Sequence, residues 1–360
     1  MIPYLCLNLI LVSLWLLSES RKTHYRIQIG RKFIIKEKEL NKLLCVSLIA
    51  VFMGLRGEFT SDYSNYCELF SETIRRSVFD ILTNRVYTET GFLIFCKLVG
   101  TITSNPNIFM FIEAVLFVSI VAWSADKYVD NAFLLFIILF VNAGIYFLSY
   151  NMLRQALAAA VIFYALHLLG SGNVKGYIVV VLFATTIHTS SLVMLAVFPL
   201  LVQKINFVND IKMMALGVVA VLTLGKVIEF VQRFRYADYN YGMEQGTVNA
   251  FVVQWTICAL IVIAIQKGTI NIEDKQNIVL INSMWLYIIF SVTALAVYQM
   301  SRICYFFSTP MLLLASKIIE KMKGKNGSLI KFGVVTVLVL YNYVWLSGTG
   351  YDPYYTFLQK

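Results

Sequence analysis

The chain is 360 residues long, 59% hydrophobic and only 14% charged, with a formal net charge of +10. Soluble domains carry about 45–50% apolar and about 25% charged residues, so a soluble enzyme, a secreted disulfide scaffold and a nucleic-acid-binding domain are excluded. A helix crosses a bilayer with about 20 mostly apolar residues, and apolar blocks recur along the whole chain, as in a polytopic membrane protein.

In chain order the blocks fall at residues 2–17, 40–55, 89–104, 108–125, 131–149, 155–170, 176–201, 212–231, 249–267, 277–297, 302–319 and 329–347. Each is rich in Leu, Ile, Val and Phe and apolar all round rather than alternating, which predicts lipid-facing helices and not barrel strands. The fold class that follows is all-α, a polytopic transmembrane helical bundle of about ten to twelve membrane segments, some short or broken. It forms a single integral membrane domain over 1–360, with no soluble domain and no internal repeat. The first block, Met1 to Leu17, has no basic n-region and no small-residue cleavage site behind it. That predicts a retained first span rather than a signal peptide.

Loop charge predicts sidedness. Residues 18–39 carry seven Lys/Arg against three Glu, and residues 317–331 carry five Lys against Glu320. Both are expected in the cytoplasm, which places the amino terminus, the loop 56–88 and the tail Gly348 to Lys360 outside. The middle of the chain allows two solutions. In one, block 89–104 spans, block 176–201 is a single helix and Arg154 lies in the cytoplasm. In the other, block 89–104 fails to cross, block 176–201 is interrupted near His188, and Arg154 and His188 both move to the outer side, with Lys127 and Lys175 inside. Cysteines add little. Only Cys67 is in a long loop, and without a Cys-x-x-Cys pair neither a disulfide framework nor a metal site is predicted.

Polar residues near hydrocarbon are costly and therefore candidates for function. Four constellations stand out: Gly54-Leu55-Arg56 with Asp62, Tyr63 and Tyr66; Ser149 to Ala158, which contains Asn151, Arg154 and Gln155; Ala184 to Ser191 around His188; and Tyr298 to Arg302 with Tyr305. Each also has a plain structural explanation. Arg56 can be a snorkelling interface anchor, Arg154 a helix-start charge, His188 a core histidine bonded to a carbonyl, and Arg302 a helix-end charge. Glu113, inside block 108–125, is expected to pair with a neighbouring helix. Lys226 and Glu229 are spaced to pair with each other, and Tyr236, Tyr239 and Tyr241 read as an interface belt.

Together the four constellations resemble the EpsG family, a branch of the Wzy-type polysaccharide polymerases. The family pattern is Gly-Leu-Arg, five residues, then Asp-Tyr-x-x-Tyr, matched by Arg56, Asp62, Tyr63 and Tyr66. A Glu-Pro-Gly-Phe motif follows, here Glu89-Thr90-Gly91-Phe92 with the proline replaced. Then come an Arg-Gln-x-Leu-Ala helix start (Arg154, Gln155, Leu157, Ala158), an Ala-x-x-x-His-x-Ser stretch (Ala184, His188, Ser190) and an Arg-x-x-Tyr (Arg302, Tyr305). The matches run in order over residues 54–305. Besides the lost proline, the loop Gly57 to Ser61 lacks the glycine usual before the Asp-Tyr pair.

The resemblance implies polymerisation of undecaprenyl-diphosphate-linked oligosaccharide repeat units at the outer face of the bacterial cytoplasmic membrane, and it favours the second topology. The expected catalytic residues are His188, Asp62 and Arg154. The expected substrate-binding residues are Arg56, Tyr63, Tyr66, Asn151, Gln155, Arg302 and Tyr305. Arginines suit a lipid diphosphate because guanidinium binds it bidentately, and His188 or Asp62 is the candidate base. No metal and no cofactor is expected. The partners are the lipid-linked oligosaccharide and the bilayer, not nucleic acid, and a chain-length regulator is left open. Two rival readings remain, a lipid-linked oligosaccharide transporter (flippase) and a membrane ligase or acyltransferase on a surface glycan. Paired halves with matching interrupted helices, the mark of inverted-repeat transporters, are not found.

Overall fold

The structure is a computed structural model that describes residues 1–20, 26–29, 33–83, 88–129, 131–235, 248, 251–322 and 324–359. It is an all-α bundle, as the blocks predict. Helix α1 (Ile2–Ser20) leads to a short antiparallel hairpin, β1 (Arg26–Ile29) and β2 (Phe33–Lys36), and then to α2 (Glu37–Gly54). The hairpin falls in the basic stretch 18–39, where no element was expected. The segment 56–88, expected as a loop, carries α3 (Tyr63–Arg75) and α4 (Val78–Thr83). Next come α5 (Thr90–Gly100), α6 (Pro106–Asp126), α7 (Phe133–Asn142), α8 (Ile145–Leu148), α9 (Leu153–Gly170) and α10 (Val174–Ile187). A 3-10 turn (Thr189–Leu192) and the single turns α11 (Val193–Ala196) and α12 (Phe198–Leu201) precede α13 (Phe207–Arg235). The chain closes with α14 (Val252–Gln266), α15 (Lys275–Ala296), α16 (Met300–Glu320) and α17 (Gly324–Ser347).

Among the described residues six helices are long and apolar enough to cross a bilayer: α1, α6, α9, α15, α16 and α17. Blocks 40–55 and 212–231 lie in the continuous helices α2 and α13, whereas 89–104, 131–149, 176–201 and 249–267 form shorter or interrupted helices, and the interruptions have local causes. Gly144 ends α7 with a φ of 83°, a left-handed conformation that glycine adopts freely. His188 ends α10 in an extended conformation, φ −151° and ψ 116°. Helix α5 has 11 residues, about 16 Å at 1.5 Å per residue, against a hydrocarbon thickness of about 30 Å. The Tyr236, Tyr239 and Tyr241 cluster lies outside the described residues, as do the side chains of Lys226 and Glu229.

The helices sort the chain into two ends. At one end, Lys42 at the start of α2 bonds Asp126 at the end of α6, 2.5 Å apart. There too, Lys331 of α17 reaches Glu320 at the end of α16 and Glu19 at the end of α1, at 3.1 and 3.5 Å. Lys127 and Lys175 border helices that point to this same end. At the opposite end the backbone of Leu55 to Gly57 pairs with that of Tyr355 to Phe357, with Gly57 donating to the Tyr355 carbonyl at 2.8 Å. Arg154, His188 and the start of α16 sit at the end that holds this tail, because α9 and α16 begin there and α10 finishes there. Helix α5, in block 89–104, is not among the helices long enough to cross. Helix α5 starts beside Arg154, and α6 starts again beside Tyr63, whose hydroxyl donates to Asn107 Oδ1 at 2.8 Å. The relative placement is that of the second charge solution.

Buried amides tie the bundle together. Asn142 of α7 donates to Asn8 Oδ1 of α1 at 2.8 Å and accepts from Asn342 of α17 at 3.2 Å, and both Asn142 and Asn342 are fully buried. Small polar side chains joined in this way are a recurrent glue between membrane helices.

Candidate functional site

The site is assembled around two helix interruptions. At the first, the chain between α8 and α9 turns through Ser149 to Met152, and Arg154 lies in the first turn of α9. At the second, the α10 helix stops at His188 and the 3-10 turn begins. A helix start leaves backbone N–H groups without intrahelical partners, and Thr189 N–H is one of them.

Glu89 collects the groups that these interruptions expose. It occupies the N-cap position of α5, yet its side chain does not cap that helix. One carboxylate oxygen, Oε2, accepts from Arg154 Nη1 at 2.5 Å. The other, Oε1, accepts from Thr189 N–H at 2.9 Å and lies 3.0 Å from His188 Nδ1. The Tyr66 hydroxyl lies against the Arg154 guanidinium. Side-chain exposures are 13% for Glu89, 19% for His188 and 28% for Arg154, so the carboxylate is the most enclosed of the three and the guanidinium the least. Burial alone would raise the Glu89 carboxyl. The His188 hydrogen bond, the Thr189 amide and the Arg154 charge outweigh it and hold the group at about 2, against an ordinary 4.5. A carboxyl held low stabilises the fold above its unfolded value of 4.5, and that contribution fades only as pH falls toward about 2. The Glu89 carboxyl is therefore ionised at neutral pH.

Gly91 permits this convergence. A Cβ there would lie 2.3 Å from Thr186 Oγ1 and 2.6 Å from the Thr186 carbonyl oxygen, so α5 can touch α10 only through a bare backbone. We expect Gly91→Ala to destabilise the protein by about 1–3 kcal/mol, as overpacking does, and to push Glu89 away from His188. Faster hydrogen exchange at the Thr189 amide measures that separation, and unchanged exchange would contradict it.

The other sequence-predicted residues divide into groups. Gln155 donates to the Arg302 backbone carbonyl and so fixes the start of α16 against α9, while the Arg302 side chain is exposed. Asn151 donates to the Tyr351 hydroxyl at 3.1 Å. Asp62 is half-buried, and its charge acts on both Tyr66 and Tyr351. Arg56 is not brought to Arg154. It is fully buried, donates from Nη1 to the Met53 carbonyl at 2.7 Å, and lies over the rings of Tyr150 and Tyr63 at 5.0 and 5.9 Å. The Tyr305 hydroxyl is directed at the Ile145 carbonyl, 3.2 Å away. Glu113 is fully buried too, but neither of its oxygens has a hydrogen-bond partner among the described residues, so the expected direct pairing is absent. The charge that acts on it is that of Arg56.

Four of the buried polar atoms without partners among the described residues lie in these segments: Arg154 Nε, Asn151 Oδ1, Ser190 Oγ and Gln299 Oε1. Such atoms are rare in folded proteins and suit a polar ligand or water. Sequence reasoning missed Glu89 as a member of the site. The available signal was a glutamate next to a glycine at the start of an apolar block too short to cross.

Residues 42–358 match the EpsG family. No curated protein and no solved structure matches the chain.

Proposed function

The chain belongs to the EpsG family, whose members are Wzy-type polymerase-like, and from that premise we propose that it polymerises oligosaccharide repeat units carried on undecaprenyl diphosphate. The reaction runs at the outer face of the bacterial cytoplasmic membrane, without a metal. The growing chain on its lipid diphosphate is the donor and a single lipid-linked repeat unit is the acceptor. One observation carries the reading: a guanidinium and an imidazole from two separate broken helices meet beside unpartnered polar atoms at one end of the bundle.

An acceptor hydroxyl attacks the anomeric carbon of the donor, forming a new C–O bond as the bond to the diphosphate oxygen breaks. The bonding electrons leave with the diphosphate. The hydroxyl proton passes to His188, with Asp62 as the other candidate base. Negative charge grows on the leaving diphosphate, so fixed guanidinium groups of Arg154 and Arg302 stabilise the transition state more than the ground state. A single displacement inverts the anomeric centre. In this reading Tyr66 and Asn151 contact sugar hydroxyls. Loop charge supports the outer face, since the lysine-rich end is the opposite one.

The test is purified protein in nanodiscs with a lipid-linked repeat unit and no added nucleotide sugar or metal, with products separated on a gel. A ladder of chain lengths is expected. A single coupled product would make the protein a ligase, and bound but unreacted substrate would make it a transporter.

A further inference from the structure

We propose that Glu89 is the positioning residue of this site: it fixes the tautomer of His188 so that Nε2 is the proton acceptor, and it sets the imidazole and the Arg154 guanidinium in register. The inference rests on the polymerase reading for its catalytic meaning, while the pairing itself rests on geometry.

The argument begins with what each partner can do. An ionised carboxylate only accepts hydrogen bonds, and Glu89 is in contact with three groups. Arg154 Nη1 and Thr189 N–H are obligatory donors, at 2.5 and 2.9 Å. The third, His188 Nδ1 at 3.0 Å, faces the oxygen that already takes the Thr189 proton. Nδ1 must therefore carry hydrogen and donate it. A neutral imidazole then has its lone pair on Nε2 alone. Nucleophile-activating bases are commonly held in this way by a third group.

The placement of the carboxylate points to the same role. A glutamate at an N-cap position would ordinarily serve its own helix, whose first N–H groups lack partners. Glu89 does not. It crosses instead to residues 65 and 99 positions further along the chain. Its two oxygens span the end of α10 and the start of α9, so one rigid group sets the distance between the proposed base and the proposed diphosphate-binding arginine. The guanidinium keeps a buried Nε without a partner, and the His188 side chain is partly exposed.

The experiment uses the full-length protein in nanodiscs with nitrogen-15-labelled histidine. The chain has three histidines, and loss of one signal set in His188→Gln assigns the relevant one. In the parent, His188 is expected with a protonated Nδ1 and a bare Nε2. In Glu89→Gln that preference is expected to be lost, while His167, which contacts Gln276 elsewhere in the bundle, keeps its spectrum and reports that the fold is intact. In the ladder assay Glu89→Gln is expected to lower kcat about 100-fold, the lower range for a displaced general base, with KM changed less than about threefold. Glu89→Asp, which retains the carboxylate at shorter reach, is expected to recover part of both signals. An unchanged His188 tautomer in Glu89→Gln, or parental kcat in that variant, would overturn the proposal. If the parent makes no polymer, the polymerase reading fails by itself, and the tautomer comparison still decides the pairing.

Discussion

Replacing Arg154 with alanine is expected to lower the rate of polymer formation by about 100- to 1,000-fold, the usual loss when a fixed group that stabilises developing charge is removed. Two effects combine. The diphosphate loses a guanidinium where its leaving-group charge grows, and Glu89 loses the cation that holds one of its two oxygens. Arg154→Lys separates these effects. An ammonium can satisfy Glu89 as a point charge, but it lacks the planar fork that binds a phosphate while holding a carboxylate. The lysine variant is therefore expected to retain the stability of the parent yet remain at least about tenfold slower, because one bidentate contact is worth more than one point contact. Initial rates of ladder formation, with binding of the lipid-linked repeat unit measured separately, check both variants. Unchanged polymer yield and length in Arg154→Ala would remove the arginine from the mechanism.

Much of this arrangement could be read in the sequence because membrane helices announce themselves. Blocks that are apolar all round have no alternative fold in lipid, and the polar interruptions at Ser149 to Gln155 and at His188 emerged as breaks because polar groups there cost too much to be incidental. Glu89 was legible only as part of a resemblance. Its partners are far away in sequence, and nothing local distinguishes a glutamate that caps α5 from one that turns away from it. Arg56 shows the opposite failure. At the end of an apolar block it reads as an interface anchor or a ligand for phosphate, and its burial depends on a tail that pairs with it some 300 residues later. The hairpin at 26–36 was hidden for a related reason, since its charged sequence carries a topology signal strong enough to obscure a strand pattern. The three joined asparagines escaped notice because single amides inside apolar blocks become informative only when their neighbours are known.

Arg56 and Glu113 give the second large expected effect, on stability. Both are fully buried. Arg56 Nε and Nη2 and both Glu113 oxygens lack hydrogen-bond partners among the described residues, and the arginine charge acts on the carboxyl. The two share no hydrogen bond, so they are coupled only through the arginine charge. Leaving either polar group buried without the other typically costs about 1–3 kcal/mol, whereas replacing both with apolar residues of similar volume is often neutral. Arg56→Met and Glu113→Leu are each expected to destabilise the protein by that amount, and the double variant to recover most of the loss. Unfolding of all four proteins in one detergent gives the cycle, and costs that simply add would show that the two groups are independent. The same double variant decides what Arg56 does. Its guanidinium lies between the rings of Tyr63 and Tyr150 and under the paired tail, so it can hold the segment that leads into Arg154 without touching substrate. A stable double variant that still builds a ladder makes Arg56 an internal anchor of the site. A stable double variant that binds the lipid-linked repeat unit poorly makes it a ligand for the diphosphate, reached by a movement of the tail.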